Sequence, residues 1–363
     1  MTAWIGELQR TMTQTLRDYQ HATGAQVEGQ AIATFGQDEA ARQALPLGVA
    51  VCDRSHWGRI SLTGEDRIRF LHNQTTNNIQ RLQSGQGCDT VFVTSTARTL
   101  DLATVYLLES EILVVTHPTC RESLQKWMDR FIFPFDKVGL RDQTDATVMF
   151  SVLGEGCAAL LEELGVGAIA SLPLHSHQVV TLAGVEVRIA VGSGLVTPGY
   201  TLIADQSAGL PLWQALNEAG AIPFGETLWE QLRIEQGRPV PGQELTDDYN
   251  PLEAGLWHTA SFSKGCYIGQ ETIARLDTYK GVKQQLWGIH LAAIAPVGST
   301  IFLGEEKIGK LTSVTETTSG ITGLAYLRTK AGGAGLTVTV GEGVTGTIVE
   351  IPFATRDRQP EPA

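Results

Sequence analysis

Residues 263–272, SKGCYIGQET, put a lysine, a cysteine, two glycines, an aromatic, a glutamine and a glutamate into one short stretch. That mixture suits thiol chemistry. Gly265 and Gly269 let the backbone turn tightly and approach a ligand or a neighbouring domain. Helical spacing resumes with Ile273 and Leu276, so Cys266 lies just ahead of a helix start. There the partial positive charge of free N–H groups favours a thiolate. Lys264 acts in the same direction if its side chain turns toward the sulfur. Gln270 and Glu271 fall in the first helical turn, where an acid suits the dipole and both can position the loop. A tight inter-domain joint in which Cys266 only fills space explains the same residues, and the loop alone leaves both readings open.

Other chemistry is thinner. The remaining cysteines, Cys52, Cys88, Cys120 and Cys157, are widely spaced beside hydrophobic or helix-like sequence, and no CxxC pair occurs. Buried thiols acting as small hydrophobes are expected there, not a disulfide framework or a metal cluster held by this chain. The histidines are scattered, and the one close pair, His175 and His177, is expected on a surface or hairpin, so no metal site is expected. A GxSxG elbow and a Walker loop are absent, and GSGLVTPG reads as a turn. The segment LRIEQGRPVPGQELTDDYNPLEAGL (232–256) combines a short helix, a Gly-Pro turn and the acidic pair Asp247 and Asp248, expected in a solvated loop. Arg233 and Glu235 are too close in a helix to pair, so each is expected to find a different partner.

The elements that carry these residues follow from periodicity. Leu8, Met12, Leu16 and Tyr19 predict a first helix ending at Gly24. A strand over GRISLTG (58–64) leads into a helix from Glu65 with Thr63 as candidate cap. The amide-rich HNQTTNNIQRL follows, then the β-branched runs VFVT, DLATVYLLE and EILVVTH of an antiparallel meander. Helices are expected at 118–132, 155–164 and LPLWQALNEAG, a strand at TVMFSVLG and a hairpin at VVTLAGVEVRIAVG. Antiparallel hairpins mixed with helices indicate α+β. After Lys283 short strands between glycine turns predict a small C-terminal β-barrel. The expected organisation is a core over 1–283 in two interleaved lobes, a barrel over 284–354, and a disordered tail over 355–363.

Bulk properties narrow the partners. A net charge of −12 repels a phosphate backbone, so nucleic acid is not an expected partner. No apolar run is long enough to span a bilayer and the first residues lack a signal-peptide pattern, so a soluble, cytoplasmic protein without membrane partners is expected.

The sequence SKGCYIGQE resembles the K-G-C-[FY]-x-G-Q-E signature of the YgfZ family, folate-binding relatives of the glycine-cleavage aminomethyltransferase (GcvT, or T-protein). The stretch GRISLTGEDRIRFLHNQTTNNIQRLQSGQG is similar to the opening of that superfamily, and LRIEQGRPVPGQELTDDYNPLEAGL to its L-R-x-E-x-G…P-x-E-A-G-L segment; these blocks occur in family order over about residues 45–285. The resemblance implies a three-lobed GcvT-like ring with a C-terminal small β-barrel and a central channel that binds tetrahydrofolate or a derivative.

Within the superfamily, T-protein moves an aminomethyl group onto folate, whereas YgfZ-type proteins support assembly or repair of iron–sulfur clusters in client enzymes. The resemblance favours the second. The KGCYIGQE cysteine has no T-protein counterpart, ARTLDLA keeps Asp101 but has Leu102 where T-protein has a second aspartate, and SGLVTPGYTL lacks the pterin-holding glutamate. It implies Cys266 as the key thiol, Lys264 as its electrostatic helper and Gln270 and Glu271 as positioning residues. Asn73, Thr76, Asn77 and Asn78 are implied as channel-lining folate contacts, and Arg98 as a partner for a glutamyl carboxylate. The same amides could instead cap helices and turns. Rival expectations are a folate-dependent one-carbon transferase using Asp101, and a non-catalytic interaction module whose folate pocket has decayed.

Overall fold

The computed structural model describes residues 15–358, so Leu8 and Met12 of the predicted first helix lie outside the described residues. The helix is present at Leu16–Ala22, started by a capping box in which Thr15 and Asp18 satisfy each other's backbone N–H groups. The chain divides into two compact units. The first comprises Met1–His56, Asp145–Leu172 and Gln178–Trp229, and the second Trp57–Thr144, Pro173–His177 and Glu230–Ala363.

The first unit is built on a six-stranded sheet in the order His177–Leu182, Val185–Val191, Gly199–Asp205, Thr147–Leu153, Ala50–Asp53, Ile222–Phe224. The pairs from Val185–Val191 through Ala50–Asp53 are antiparallel, but Ile222–Phe224 runs parallel to Ala50–Asp53, a departure from the hairpin-only pattern expected. Apolar residues of the sheet and of helix Gly209–Glu218 bury one another. Phe35 stacks on Trp213 with ring centroids 5.7 Å apart, and Phe150 meets the same ring edge-on at 5.1 Å.

The second unit carries the chemistry. Its five-stranded antiparallel sheet has the order Gln86–Val93, Thr99–Leu107, Glu111–Thr116, Gly58–Thr63, Gly139–Asp142, with the first three strands forming the expected meander. Leu71, Leu124 and Met128 from helices Arg67–Gln74 and Arg121–Asp129 bury against Ile60, Leu62, Phe92 and Val105. The helix expected from Glu65 starts at Arg67 instead, and Thr63 does not cap it. Asp66 stands at the cap position, but its carboxylate accepts the N–H of Lys137, from the segment leading to the neighbouring strand.

Six strands from Gln284–Leu291 to Val344–Val349 close into a barrel around Ile289, Ile301, Leu311, Ala325 and Ile348. The α+β class and the C-terminal barrel therefore agree with the sequence reading. A further cluster packs Val91, Val93 and Leu102 of the sheet with Leu286, Leu324 and Tyr326 of the barrel, and Tyr249 stacks on Tyr326 at 3.5 Å. Beside it, fully buried Arg233 pairs with Glu244 at 2.9 Å and also with Glu230, while its Nη2 donates to Ser313 of the barrel. Glu235 is not among these partners, as the helical spacing implied. Thr355–Arg358, expected to belong to a disordered tail, are held: the Thr355 N–H donates to Gly255 O at 2.8 Å, and the Arg356 guanidinium lies 3.5 Å from the Trp287 ring centroid. The remaining tail residues lie outside the described residues.

Candidate functional site

Lys264 decides how the 263–272 loop is held. Its side chain is buried, and Nζ donates to three backbone carbonyls, His72 O at 2.6 Å, Thr75 O at 2.7 Å and Asn77 O at 2.6 Å. These carbonyls belong to the last turn of helix Arg67–Gln74 and the residues just after it, where unpaired acceptors and the negative end of the dipole welcome a cation. The Tyr267 ring lies 4.7 Å from the same ammonium. Burial pulls the Lys264 pKa down to about 7, with Cys88 acting weakly the other way. All three of its hydrogens are thus committed to carbonyls. The expectation that this lysine turns its charge onto Cys266 is corrected accordingly: it pins the loop rather than bonding the sulfur.

The rest of the loop is tied in a similar way. The Ile268 N–H donates to Asn73 O at 3.0 Å, and the Ser261 N–H to Thr76 O at 3.0 Å. Gly269 has φ +82, and a Cβ there would lie 2.8 Å from Thr94 O, so this position requires glycine twice over. Helix Gln270–Thr278 starts directly after it. Gln270 Nε2 reaches back to Gly265 O at 3.2 Å and Lys264 O at 3.4 Å, a positioning role, while Glu271 is exposed in the first turn. Tyr267 and Ile273 bury with Trp257, Leu252 and Ala97. Cys266 alone of the five cysteines is exposed. The loop buries its aromatic and its lysine and presents its thiol.

Among the amides, Thr76 and Asn77 hold the structure together. Thr76 Oγ1 donates to Thr259 O at 2.7 Å and accepts from the Val91 N–H at 3.0 Å. Asn77 Nδ2 donates to Asp89 O at 2.7 Å, and its Oδ1 accepts from the Asn78 N–H. Asn73 is exposed. Asn78 differs: its Oδ1 is buried without a partner, as is Oε1 of neighbouring Gln74, a residue the sequence reading passed over. Arg98 donates to Asp248 O at 2.9 Å from a half-buried position, and Ala97 before it takes the left-handed conformation (φ +59) that favours glycine. Asp247 and Asp248 are exposed, as a solvated loop predicts.

A second group of polar residues in this unit gathers around Asp101, the carboxylate kept in ARTLDLA, with partners that had no signal in the sequence. Asp101 is fully buried; its Oδ2 accepts the His117 N–H at 3.0 Å, and its Oδ1 has no partner. Burial raises its pKa to about 6, against the bonds from Thr116 and His117 and the charge of Arg238. Arg238 is buried between the rings of Trp57 and Phe353, at 5.9 and 5.3 Å from their centroids. Burial weakens its hold on the proton, while Asp89 and Asp101 strengthen it. Asp89 is pushed up by burial, but His175, Arg238, His258 and a bond from Thr104 outweigh this and hold it below the usual carboxylate range. His175 Nε2 lies 3.6 Å from Asp89 Oδ2, and His177 starts the hairpin strand His177–Leu182, as expected, with its side chain buried. Asp89, Asp101 and Arg238 come from separate stretches of chain and meet only in the folded unit. Among the described residues no cluster of three or more His, Cys, Asp or Glu side chains is placed to hold a metal ion.

Two sets of groups therefore stand out in the second unit: an exposed thiol on a pinned loop, and a carboxyl whose pKa burial raises to about 6 within the field of a buried guanidinium. Comparison with known proteins places this arrangement in context. The family described as "GCVT N-terminal domain" matches residues 18–264. The chain is 44% identical over 331 residues to "Putative transferase At1g60990, chloroplastic" of Arabidopsis thaliana, covering 91% of this chain and 77% of that protein. It is 28% identical to an aminomethyltransferase of Halothermothrix orenii, over 83% of this chain and 87% of that one. Among solved structures, the glycine cleavage system aminomethyltransferase T of Bartonella henselae superposes with a TM-score of 0.82 at 17% identity, covering 95% of this chain and 98% of that one, which shows a shared fold. Both the family match and the Arabidopsis relative lead to one conclusion: the chain belongs to the GCVT N-terminal domain family, with the aminomethyltransferase-like fold.

Proposed function

We propose that this protein is a cytoplasmic, folate-binding accessory factor of the YgfZ type, supporting assembly or repair of iron–sulfur clusters in client proteins through the thiol of Cys266. The observation that carries the reading is the loop itself. Lys264, Gln270 and Gly269 fix its backbone, and the cysteine side chain is left facing solvent. A structural joint would bury that side chain. One thiol cannot replace the four ligands of a stable cluster, so the proposed role is to act on clients or on the assembly machinery rather than to keep a cluster.

Tetrahydrofolate is the proposed ligand, and the side chains fit it in kind. Asp101, Asn78 and Gln74 each leave a buried oxygen without a partner, as acceptors for pterin N–H groups would. Arg238 supplies a buried cation and Arg98 a more exposed one for carboxylates. When bound, folate would supply one-carbon chemistry; what this chain contributes is acceptors, a guanidinium and a titrating carboxyl at Asp101. Titration calorimetry with tetrahydrofolate tests this part. Saturable heat at sub-millimolar ligand, weakened by Asp101→Ala, is expected; no heat would favour an interaction module with a decayed pocket.

One observation favours a second reading. The unpartnered Oδ1 of Asp101 and its pKa of about 6 suit a general base for a folate-dependent one-carbon transferase, and relatives bear the name aminomethyltransferase. Turnover of a methylamine-type donor with tetrahydrofolate, lost in Asp101→Ala, would establish that activity.

A further inference from the structure

The residues that end helix Arg67–Gln74 and follow it are bonded on two sides. Toward the sheet, the Thr76 N–H donates to Val91 O at 3.1 Å, Thr76 Oγ1 accepts the Val91 N–H, and the Asn77 N–H donates to Thr90 Oγ1 at 2.9 Å. Toward the cysteine loop, 72–77 takes the three bonds from Lys264 Nζ and those from the Ser261 and Ile268 N–H groups, and Thr76 Oγ1 donates to Thr259 O. A row of neighbours results. Asp101 pairs with Phe92 in the sheet, Phe92 bridges Thr75, and Thr75 O accepts Lys264 Nζ. Adjacent backbones in such a row stand about 5 Å apart, so Asp101 and Thr75 are about 10 Å from each other. Buried oxygens without partners sit on this row and beside it: Asp101 Oδ1 on its first member, Gln74 Oε1 next to Thr75, and Asn78 Oδ1 three residues beyond. Asp101 is fully buried and Gln74 is 7% exposed, so bulk water does not serve as the missing donor.

We propose that the 72–78 segment couples ligand binding to docking of the loop: a ligand held by Asp101, Gln74 and Asn78 clamps 259–268, and a released loop weakens the ligand. This deepens the folate reading above and rests on it. A ligand that donates to oxygens on both Asp101 and Gln74 fixes residues 74–78 against the sheet, and those residues carry the acceptors that hold the loop. Both events therefore draw on one element with a bonded and a loose state, which makes their coupling reciprocal. Lys264 is the positioning residue that joins them. Without its ammonium, three carbonyls at a helix end lose their donor together. The far half of the loop is held separately, because Tyr267 and Ile273 bury with Ala97 and Gly269 packs on Thr94 O. Release of 259–266 thus needs no change in helix Gln270–Thr278. Cys266 rides on the releasable half, so occupancy of the ligand site sets how firmly the thiol is presented.

The test is hydrogen exchange of the full-length protein with and without saturating tetrahydrofolate, read by mass spectrometry on peptides covering 70–80 and 259–268, beside titration calorimetry. Tetrahydrofolate is expected to slow exchange in 259–268 about fivefold or more, the low end of ordinary coupling between sites, and to slow helix Gly209–Glu218 of the other unit less. In ligand-free protein, Lys264→Met is expected to speed exchange in both peptides, and in calorimetry to weaken tetrahydrofolate about fivefold or more. Faster exchange in 259–268 alone, with 70–80 as in wild type, would overturn the shared role of the segment. Binding heat with unchanged exchange in 259–268 would overturn the clamp and leave the folate reading standing, whereas absence of heat would overturn both. The wild-type comparison does not require the Lys264→Met protein to fold.

Discussion

Asp101 and Cys266 show how the same unit treats two reactive side chains in opposite ways. The thiol is placed in water on a backbone held by Lys264; the carboxyl is placed out of water with one oxygen unpaired. The second arrangement has a definite pH signature. In the unfolded chain an aspartate releases its proton near pH 3.8, whereas burial holds the folded Asp101 proton until about pH 6. Between those values the folded state binds more protons than the unfolded state, so this group makes stability fall as pH rises through the window. Above about pH 6 the whole penalty is present, at most about 3 kcal/mol from a shift of about two units. Asp101→Asn is expected to remove that decline. Urea unfolding at pH 4.5 and pH 8 should show the variant gaining stability over wild type only at the higher pH.

At the scale of elements, the loop and the strands were readable because their signals are local. β-branched runs between short turns defined the meander, and the return of helical spacing at Ile273 placed Cys266 just ahead of the helix that begins at Gln270. What decided the remaining geometry came from far along the chain. The acceptors of Lys264 lie 187 to 192 residues away, so nothing in the loop told which way its ammonium turns. The helix start moved past Glu65 because Asp66 is engaged by Lys137, 71 residues distant. Glycine roles separate in the same manner. Gly269 needs both its positive φ and its closeness to Thr94 O, whereas the nearest atom to a Cβ on Gly265 is 4.0 Å away. Gly269→Ala is therefore expected to cost about 2–4 kcal/mol, combining left-handed strain with a backbone clash. Gly265→Ala should cost less than about 1 kcal/mol. Denaturant midpoints of the two variants check the contrast, and similar losses in both would contradict this account of the loop.

For the whole molecule, composition and motif order were enough to expect an α+β protein with a terminal barrel, and the GCVT N-terminal domain family fits that expectation. Of the group of Asp89, Asp101, Arg238 and His258, only Asp101 was legible, through its place in ARTLDLA. None of these residues carries a spacing signal, and each gains its character from burial beside charges contributed by distant segments. The same holds for the role of Thr76 and Asn77, which as bare amides and hydroxyls looked equally suited to a ligand and turned out to satisfy backbone groups. The proposed function rests on the thiol of Cys266, which the fold leaves exposed on this loop. The most direct measurement is rescue of iron–sulfur enzyme activity in a strain lacking this protein, comparing wild type with Cys266→Ala after circular dichroism and denaturant unfolding have shown the variant to be folded. The proposed role predicts that the folded variant fails to restore activity; full rescue by Cys266→Ala would contradict it.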